Sequence, residues 1–288
     1  MKKPTLRNIS IICAICLIIC MASGFASAEL SGVAAEAKVN GTVPMYFNGI
    51  KMTDGIKVED MTYVPLRAFL DLVDNQANVA WNAETNTAEV TGELLSFSIT
   101  VGSQVMTVND RYFFLPYGAL VIEGALCLPV RELAKAYQAE VLWDEPTASV
   151  SIVADDPAVL EGGTEFYGEE DLYWLSRLIN AESGNQSLEG KIAVGNVVLN
   201  RLADPTCPKT IYAVIFDARY GVQFSVTENG TIYDEPNEES IVAAKLCLEG
   251  YNLAGDSIYF VNPEVGVSSW FMQTRVFIAT IGEHDFYA

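Results

Sequence analysis

The chain has 288 residues, half of them hydrophobic, and carries 37 acidic against 17 basic side chains, a formal net charge of −20. A surface of that sign is repelled by phosphate backbones, which argues against nucleic acid as a partner and against electrostatic docking on anionic wall polymers. The sequence holds a single histidine, too few for a histidine-rich copper or zinc centre, so no metal or cofactor is expected.

Residues 1–28 read as a secretory signal. Lys2, Lys3 and Arg7 form a basic start, Ile9 to Met21 is an apolar run of 13 residues, and Ala26-Ser27-Ala28 is an A-x-A cleavage site. The run is short of the roughly 20 residues that span a bilayer. The expected location is therefore secreted or extracellular. Cleavage would leave 14 basic against 37 acidic residues, a net of −23, and about 260 residues, the size of two domains. Cys127, Cys207 and Cys247 would remain, an odd number without CxxC spacing. A Cys207–Cys247 bridge is one alternative and buried free thiols are the favoured one.

Residues 42–153 contain an internal repeat. Tyr63-Val64-Pro65-Leu66-Arg67 opens a helical stretch followed by Val79-Ala80-Trp81-Asn82 and the alternating Thr87 to Val90. Leu128-Pro129-Val130-Arg131 opens a second, followed by Val141-Leu142-Trp143-Asp144 and Ala148 to Ile152. The copies are offset by 64 residues at the prolines and 62 at the tryptophans. Each proline suits a helix's first turn, and each tryptophan strand reads as half a hairpin. The pattern resembles the copper amine oxidase N-terminal-like (stalk) domain. The resemblance implies an α+β spacer built from two repeated units, with Pro65, Arg67, Trp81, Pro129, Arg131 and Trp143 as a fold signature rather than a copper site. Cell-wall or spore-coat proteins are the partners it suggests. Residues 154–170, with Pro157, a Gly-Gly pair and a run of acids, read as an exposed, mobile linker.

The stretch Asp171 to Arg201 carries the chemistry. Leu172, Leu175, Leu178 and Ile179 form an apolar helical stripe, and Glu182 is its next position. A carboxylate there faces the core side, where desolvation raises its pKa toward that of a general acid. Gly184 and Asn185 stop the helix, and Ser187 caps a second one with Ile192, Gly195, Leu199 and Leu202 along its buried face. Ala181-Glu182, Ser183-Gly184, Glu189-Gly190, Ala193-Val194 and Asn200-Arg201 together resemble the opening of SleB/CwlJ-type cell-wall hydrolases, a spore-cortex-lytic family. Over 171–288 the likeness continues through Gln223-Phe224-Ser225 and the closing Ile281-Gly282-Glu283-His284-Asp285-Phe286-Tyr287. Val226 and Thr227 depart from the family at the place where a proline usually follows the serine.

That resemblance implies an α+β chain whose catalytic domain is lysozyme-like, mostly helical with a small β-sheet. It implies cleavage of peptidoglycan glycan strands at the MurNAc-GlcNAc bond, at the wall or spore of a Gram-positive type cell and in cortex lysis during germination, by a lytic transglycosylase with Glu182 as acid and then base. Gln223, Phe224, Ser225, Asn229, Tyr233, Trp270, His284 and Tyr287 are the candidate substrate contacts. The residues themselves leave alternatives open. A muramidase would need a second carboxylate from Glu189, Glu228 or Asp234. A Cys-His peptidase would use His284 with Cys207 or Cys247. A wall-binding protein would use no carboxylate at all.

Overall fold

A computed structural model describes residues 38–154, 160–265 and 273–288, an N-terminal unit of sheets and a C-terminal unit of helices packed together. The signal expected over residues 1–28 lies outside these residues. Among the described residues no helix is long and apolar enough to cross a membrane.

In the N-terminal unit, strand Met61–Pro65 runs into helix α1 (Leu66–Val73), followed by a hairpin of Asn78–Asn82 with Thr87–Thr91. Strand Ala125–Pro129 runs into α2 (Val130–Ala136), followed by a hairpin of Glu140–Asp144 with Ser149–Val153. The two proline-ended strands pair antiparallel, Pro65 opposite Cys127 and Pro129 opposite Tyr63. Both prolines sit at helix N-caps with φ of −58° and −59°, the value their rings impose, where no amide hydrogen is required. The first hairpin continues through three more strands, ending in the pair Val105–Val108 and Arg111–Phe114. Phe69 and Tyr137 meet in the core with ring centroids 5.7 Å apart. Trp81 and Trp143 are about half exposed, at 49% and 46%, and stand outside that core. Arg67 instead ties helix to hairpin, its Nη2 donating to the Val79 carbonyl at 2.6 Å.

The residues between the units correct the linker expectation. Leu160 and Tyr167 are buried, Asn109 Nδ2 donates to the Leu160 carbonyl, and α3 (Gly163–Phe166) packs so close that a Cβ on Gly163 would lie 2.2 Å from the Asp110 carbonyl oxygen. Two apolar anchors and a glycine seat residues 160–167 on the first unit, so this half is no tether.

The C-terminal unit is organised on three helices: α4 (Glu169–Ser183), α5 (Leu188–Ala203) and, after the short α6 (Ile211–Ile215) and α7 (Val226–Asn229), α8 (Glu238–Leu248). Ser187 and Asn237 cap α5 and α8 by accepting from the Gly190 and Ser240 amides. Every residue of α5 from Lys191 to Val198 is buried, so this helix is core on all sides rather than on the one face expected. Gly195 makes that possible, since a Cβ there would meet Cys247 Sγ at 2.6 Å and Ile179 Cδ1 at 2.8 Å. Three strands close the other flank, His284–Tyr287 lying between Tyr259–Val261 and Phe277–Ile281. Cys127, Cys207 and Cys247 are free thiols. Cys247 is sealed between α5 and α8, its thiol hydrogen-bonded to the Ile192 carbonyl, which removes it from a bridge to Cys207.

A buried charge cluster joins the units. Glu249, just past α8, accepts from Arg111 Nε at 2.5 Å, Arg111 Nη2 at 2.8 Å and the Tyr167 hydroxyl at 2.7 Å, with Lys135 Nζ 3.2 Å away. Burial alone would raise the Glu249 pKa, but the Arg111 and Tyr167 hydrogen bonds and the charges of Lys135 and Arg111 outweigh it and hold the group below the ordinary value. Its contribution is therefore present above the unfolded carboxylate pKa and lost as pH falls through the lower folded one. Glu249→Ala strands the Arg111 guanidinium in the interface and should cost about 3–5 kcal/mol in urea unfolding at neutral pH. A loss under about 1 kcal/mol would mean that the cluster does not bind the units together.

Candidate active site

Glu182 occupies the last turn of α4. The helix arrives there because Leu175, Leu178 and Ile179 bury completely, which turns position 182 toward the same side. The carboxyl is partly buried, and burial is the cause that pushes its pKa up to about 7; no neighbouring charge among the described residues contributes. A carboxylic acid so tuned can donate a proton near neutrality and accept it back.

Three elements clamp the turn that follows Glu182. From α8, Asn237 donates its backbone amide to Asn180 Oδ1 at 3.0 Å and its side-chain amide to the Gly184 carbonyl at 3.0 Å. From the sheet, the Glu283 amide donates to Gln186 Oε1 at 3.0 Å, and Gly282 leaves the gap that Gln186 fills. From α5, Lys191 Nζ donates to the Gln186 carbonyl at 2.9 Å and pairs with Glu239. These groups hold the carboxylate's backbone in place. Sequence reading missed Asn180, Gln186, Lys191 and Asn237, because each looks like an ordinary polar residue at a helix end until its partner from a distant segment is known.

The candidate substrate residues separate into two groups. Gln223, Ser225, Asn229 and Tyr233 lie on the segment between α6 and α8 that includes α7, at least partly exposed. Gln223 Nε2 donates to the Gly221 carbonyl at 2.8 Å, and Asn229 Oδ1 accepts from the amide and hydroxyl of Thr231. Tyr233, 59% exposed, stands edge-on to Trp174. Phe224, His284 and Tyr287, expected as substrate contacts, are buried instead. They are 2%, 7% and 5% exposed and are held by apolar packing, Phe224 and His284 against Phe260 and Tyr287 against Phe277. Burial lowers the His284 pKa against the opposing charge of Glu283, favouring the neutral ring. Trp270 lies outside the described residues.

Of the second-carboxylate candidates, Glu189 is engaged by the N-terminal unit, Gln104 Nε2 donating to its Oε1 at 2.7 Å. Glu228 and Asp234 are exposed.

Residues 185–287 match the cell wall hydrolase family and residues 46–152 match the copper amine oxidase N-terminal domain. Glu182 lies three positions before the first of these spans. The chain is similar to a spore cortex-lytic enzyme of Oceanobacillus iheyensis, 32% identical over 120 residues that make up 42% of each chain. It is also similar to one of Bacillus subtilis, 30% identical over 120 residues, 42% of this chain and 38% of that one. The chain thus aligns with about two fifths of the length of these relatives. A solved structure of the catalytic domain of the germination-specific lytic transglycosylase SleB from Bacillus anthracis is 31% identical, with a TM-score of 0.39, covering 45% of this chain and 100% of that one.

The raised pKa gives a stability signature. The folded value of about 7 stands above the ordinary 4.5, so the penalty for burying Glu182 is absent below the unfolded pKa and complete above the folded one. Glu182→Gln should therefore stabilise the chain at about pH 8 by on the order of 3 kcal/mol and leave it unchanged at about pH 4. Equal unfolding midpoints for the two chains at about pH 8 would place Glu182 in solvent.

Proposed function

Through residues 185–287 the chain belongs to the cell wall hydrolase family, and on that premise we propose that it is an enzyme cutting peptidoglycan glycan strands as a lytic transglycosylase. The carrying observation is Glu182, a carboxyl raised by burial, with no charged neighbour contributing among the described residues. In the first step Glu182 gives its proton to the glycosidic oxygen while the bond to the muramic acid anomeric carbon breaks and oxocarbenium character develops. In the second, the carboxylate now left takes the proton from the sugar's own 6-hydroxyl, whose oxygen closes onto the anomeric carbon to give a 1,6-anhydro end. One carboxyl serves both steps, acid and then base. Gln104 holding Glu189, and the exposure of Glu228 and Asp234, favour this over water activated by a second carboxylate.

On this reading the C-terminal helices and small sheet are a lysozyme-like arrangement, and the N-terminal unit is one supersecondary motif used twice. The protein acts outside the cytoplasm, at wall or spore cortex. Its N-terminal unit, docked through Glu249 and Gln104, serves as a rigid mount, and cell-wall or spore-coat proteins are its candidate partners.

Mass spectrometry of fragments released from purified peptidoglycan should show anhydromuramic ends. Glu182→Gln should lower their rate of release roughly a hundred- to ten-thousand-fold. Reducing ends, or release unchanged by the substitution, would refute the mechanism. Because the first step needs the protonated carboxyl, kcat/KM should fall on the alkaline side with a midpoint near the Glu182 value of about 7. A profile flat from pH 5 to 9 would assign the acid to another group.

A further inference from the structure

A cavity of about 360 Å³ opens on the N-terminal unit, between the hairpin of Gly55–Val58 with Met61–Pro65, the start of α2 and the hairpin that carries Trp143. Lys57, Glu59, Asp60, Arg131, Leu142 and Trp143 are among the residues that line it. Leu142 and Trp143 are half-exposed, and Lys57 Nζ lies 5.8 Å from the centre of the Trp143 ring.

The chain supplies its own comparison for this place. Lys57 pairs with Thr62 and Val58 with Met61; 64 residues later Val121 pairs with Leu126 and Ile122 with Ala125, in the same register. Glu59 and Glu123, in the turns of the two hairpins, share a φ of 51°. On this match Lys57, Asp60 and Thr62 stand where the other hairpin has Val121, Gly124 and Leu126. The arginines after the two prolines differ as well. Arg67 is tied to the Val79 carbonyl, whereas Arg131 makes no such bond among the described residues and lines the cavity beside Val141, the counterpart of Val79. Packing alone does not call for the polar set, since valine, glycine and leucine serve at the same positions of the other hairpin.

The charges around the cavity are of both signs and do not meet one another. Among the described residues no carboxylate lies within ion-pair distance of Lys57 or Arg131, although the charge of Glu132, next in the chain, acts on Arg131. Tyr117 donates its hydroxyl to Asp60 Oδ1 at 3.1 Å, and the Lys38 amide donates to Glu59 Oε1 at 2.9 Å. One oxygen of each carboxylate is left for a further donor. A polyanion drawn to the two cations would be repelled by the two carboxylates. An uncharged sugar would answer neither sign. A ligand that carries an ammonium group, a carboxylate and an apolar side chain answers both signs and the indole together. The volume is at the small end of the roughly 300–1,000 Å³ typical of ligand sites, which suits a few residues of peptide.

We propose that this cavity binds a short peptide bearing free amino and carboxylate groups, with Arg131 and Lys57 on the carboxylate, Asp60 and Glu59 on the ammonium group and Trp143 against an apolar side chain. On the wall-cutting function and the repeat proposed above, that peptide is the stem attached to the glycan strand, and the N-terminal unit gives the chain a second hold on its polymer. The identity of the peptide rests on that reading; the two-signed site rests on the side chains alone.

The test separates the two. The full chain is titrated calorimetrically with the free stem peptide L-alanyl-γ-D-glutamyl-diaminopimelyl-D-alanine, with the same peptide N-acetylated and amidated at its carboxyls, and with chitotetraose. The free peptide should bind roughly fivefold or more tightly than the blocked one, about the effect of one charged pair at a partly exposed site. Arg131→Gln and Asp60→Asn should each remove most of that preference, with circular dichroism confirming the fold. Arg67→Gln, the same residue type at the matching place, should leave it unchanged. Equal affinity for free and blocked peptide, a preference that survives both Arg131→Gln and Asp60→Asn, or no binding up to millimolar concentrations overturns the site. Chitotetraose binding that is lost in Trp143→Ala and kept in Asp60→Asn gives the cavity to the glycan and overturns the peptide. A chain that prefers the free peptide yet releases no fragments from peptidoglycan keeps the site and overturns the enzymatic reading instead.

Discussion

The arrangement depends on a helix with no wet face. Between Lys191 and Val198 α5 is buried at every position, so it must be roofed by α4, α8 and the small sheet at once. Helices approach this closely only where side chains vanish, and Gly195 supplies the gap that Ile179 and Cys247 fill. The enclosure also sets the chemistry. Once α4 is pressed on α5 through Leu175, Leu178 and Ile179, the last turn of α4 carries Glu182 into a partly desolvated position. The carboxyl is perturbed because the packing that stabilises the fold leaves it short of water, and no dedicated charge is needed.

The second organising interaction is electrostatic. Glu249 and Arg111 lie in the contact between the units, together with Lys135 and the Tyr167 hydroxyl. Buried ion pairs contribute little net stability beside apolar packing, but they penalise every misaligned arrangement, because a displaced partner leaves a bare charge. The cluster thus fixes how the sheet unit sits on the helical one, and Gln104 on Glu189 adds a contact to the first turn of the helix that follows Glu182. The N-terminal unit thereby takes part in holding the segment that carries the candidate acid.

Charge is distributed with the same economy. The chain is strongly acidic, and several of the few basic residues of the helical unit sit at its packing contacts. Lys191 braces the turn after Glu182, Lys245 lies over the Tyr112 and Tyr167 rings at the junction of the units, and three arginines gather around one cavity. A glycan, neutral along its backbone, is not repelled by such a surface.

Much of this was legible in the residues. The period of Leu172, Leu175, Leu178 and Ile179 placed Glu182 on the buried side of a helix, Ser187 announced a cap, and the proline–tryptophan spacing announced helix and hairpin in order. Those are local signals, carried by residues within one or two turns of one another. What tertiary structure decided involves partners far apart in sequence: the burial of α5 on all sides, the packing of Leu160 and Tyr167 within the expected linker, and the clamp of Asn237 and Glu283 on the turn after Glu182. It also decided which aromatics are core. Phe224 and Tyr287 are candidate substrate contacts in sequence, yet they fill the interior, because an aromatic ring stabilises equally well against another side chain or a sugar, and only the surrounding packing determines which it meets.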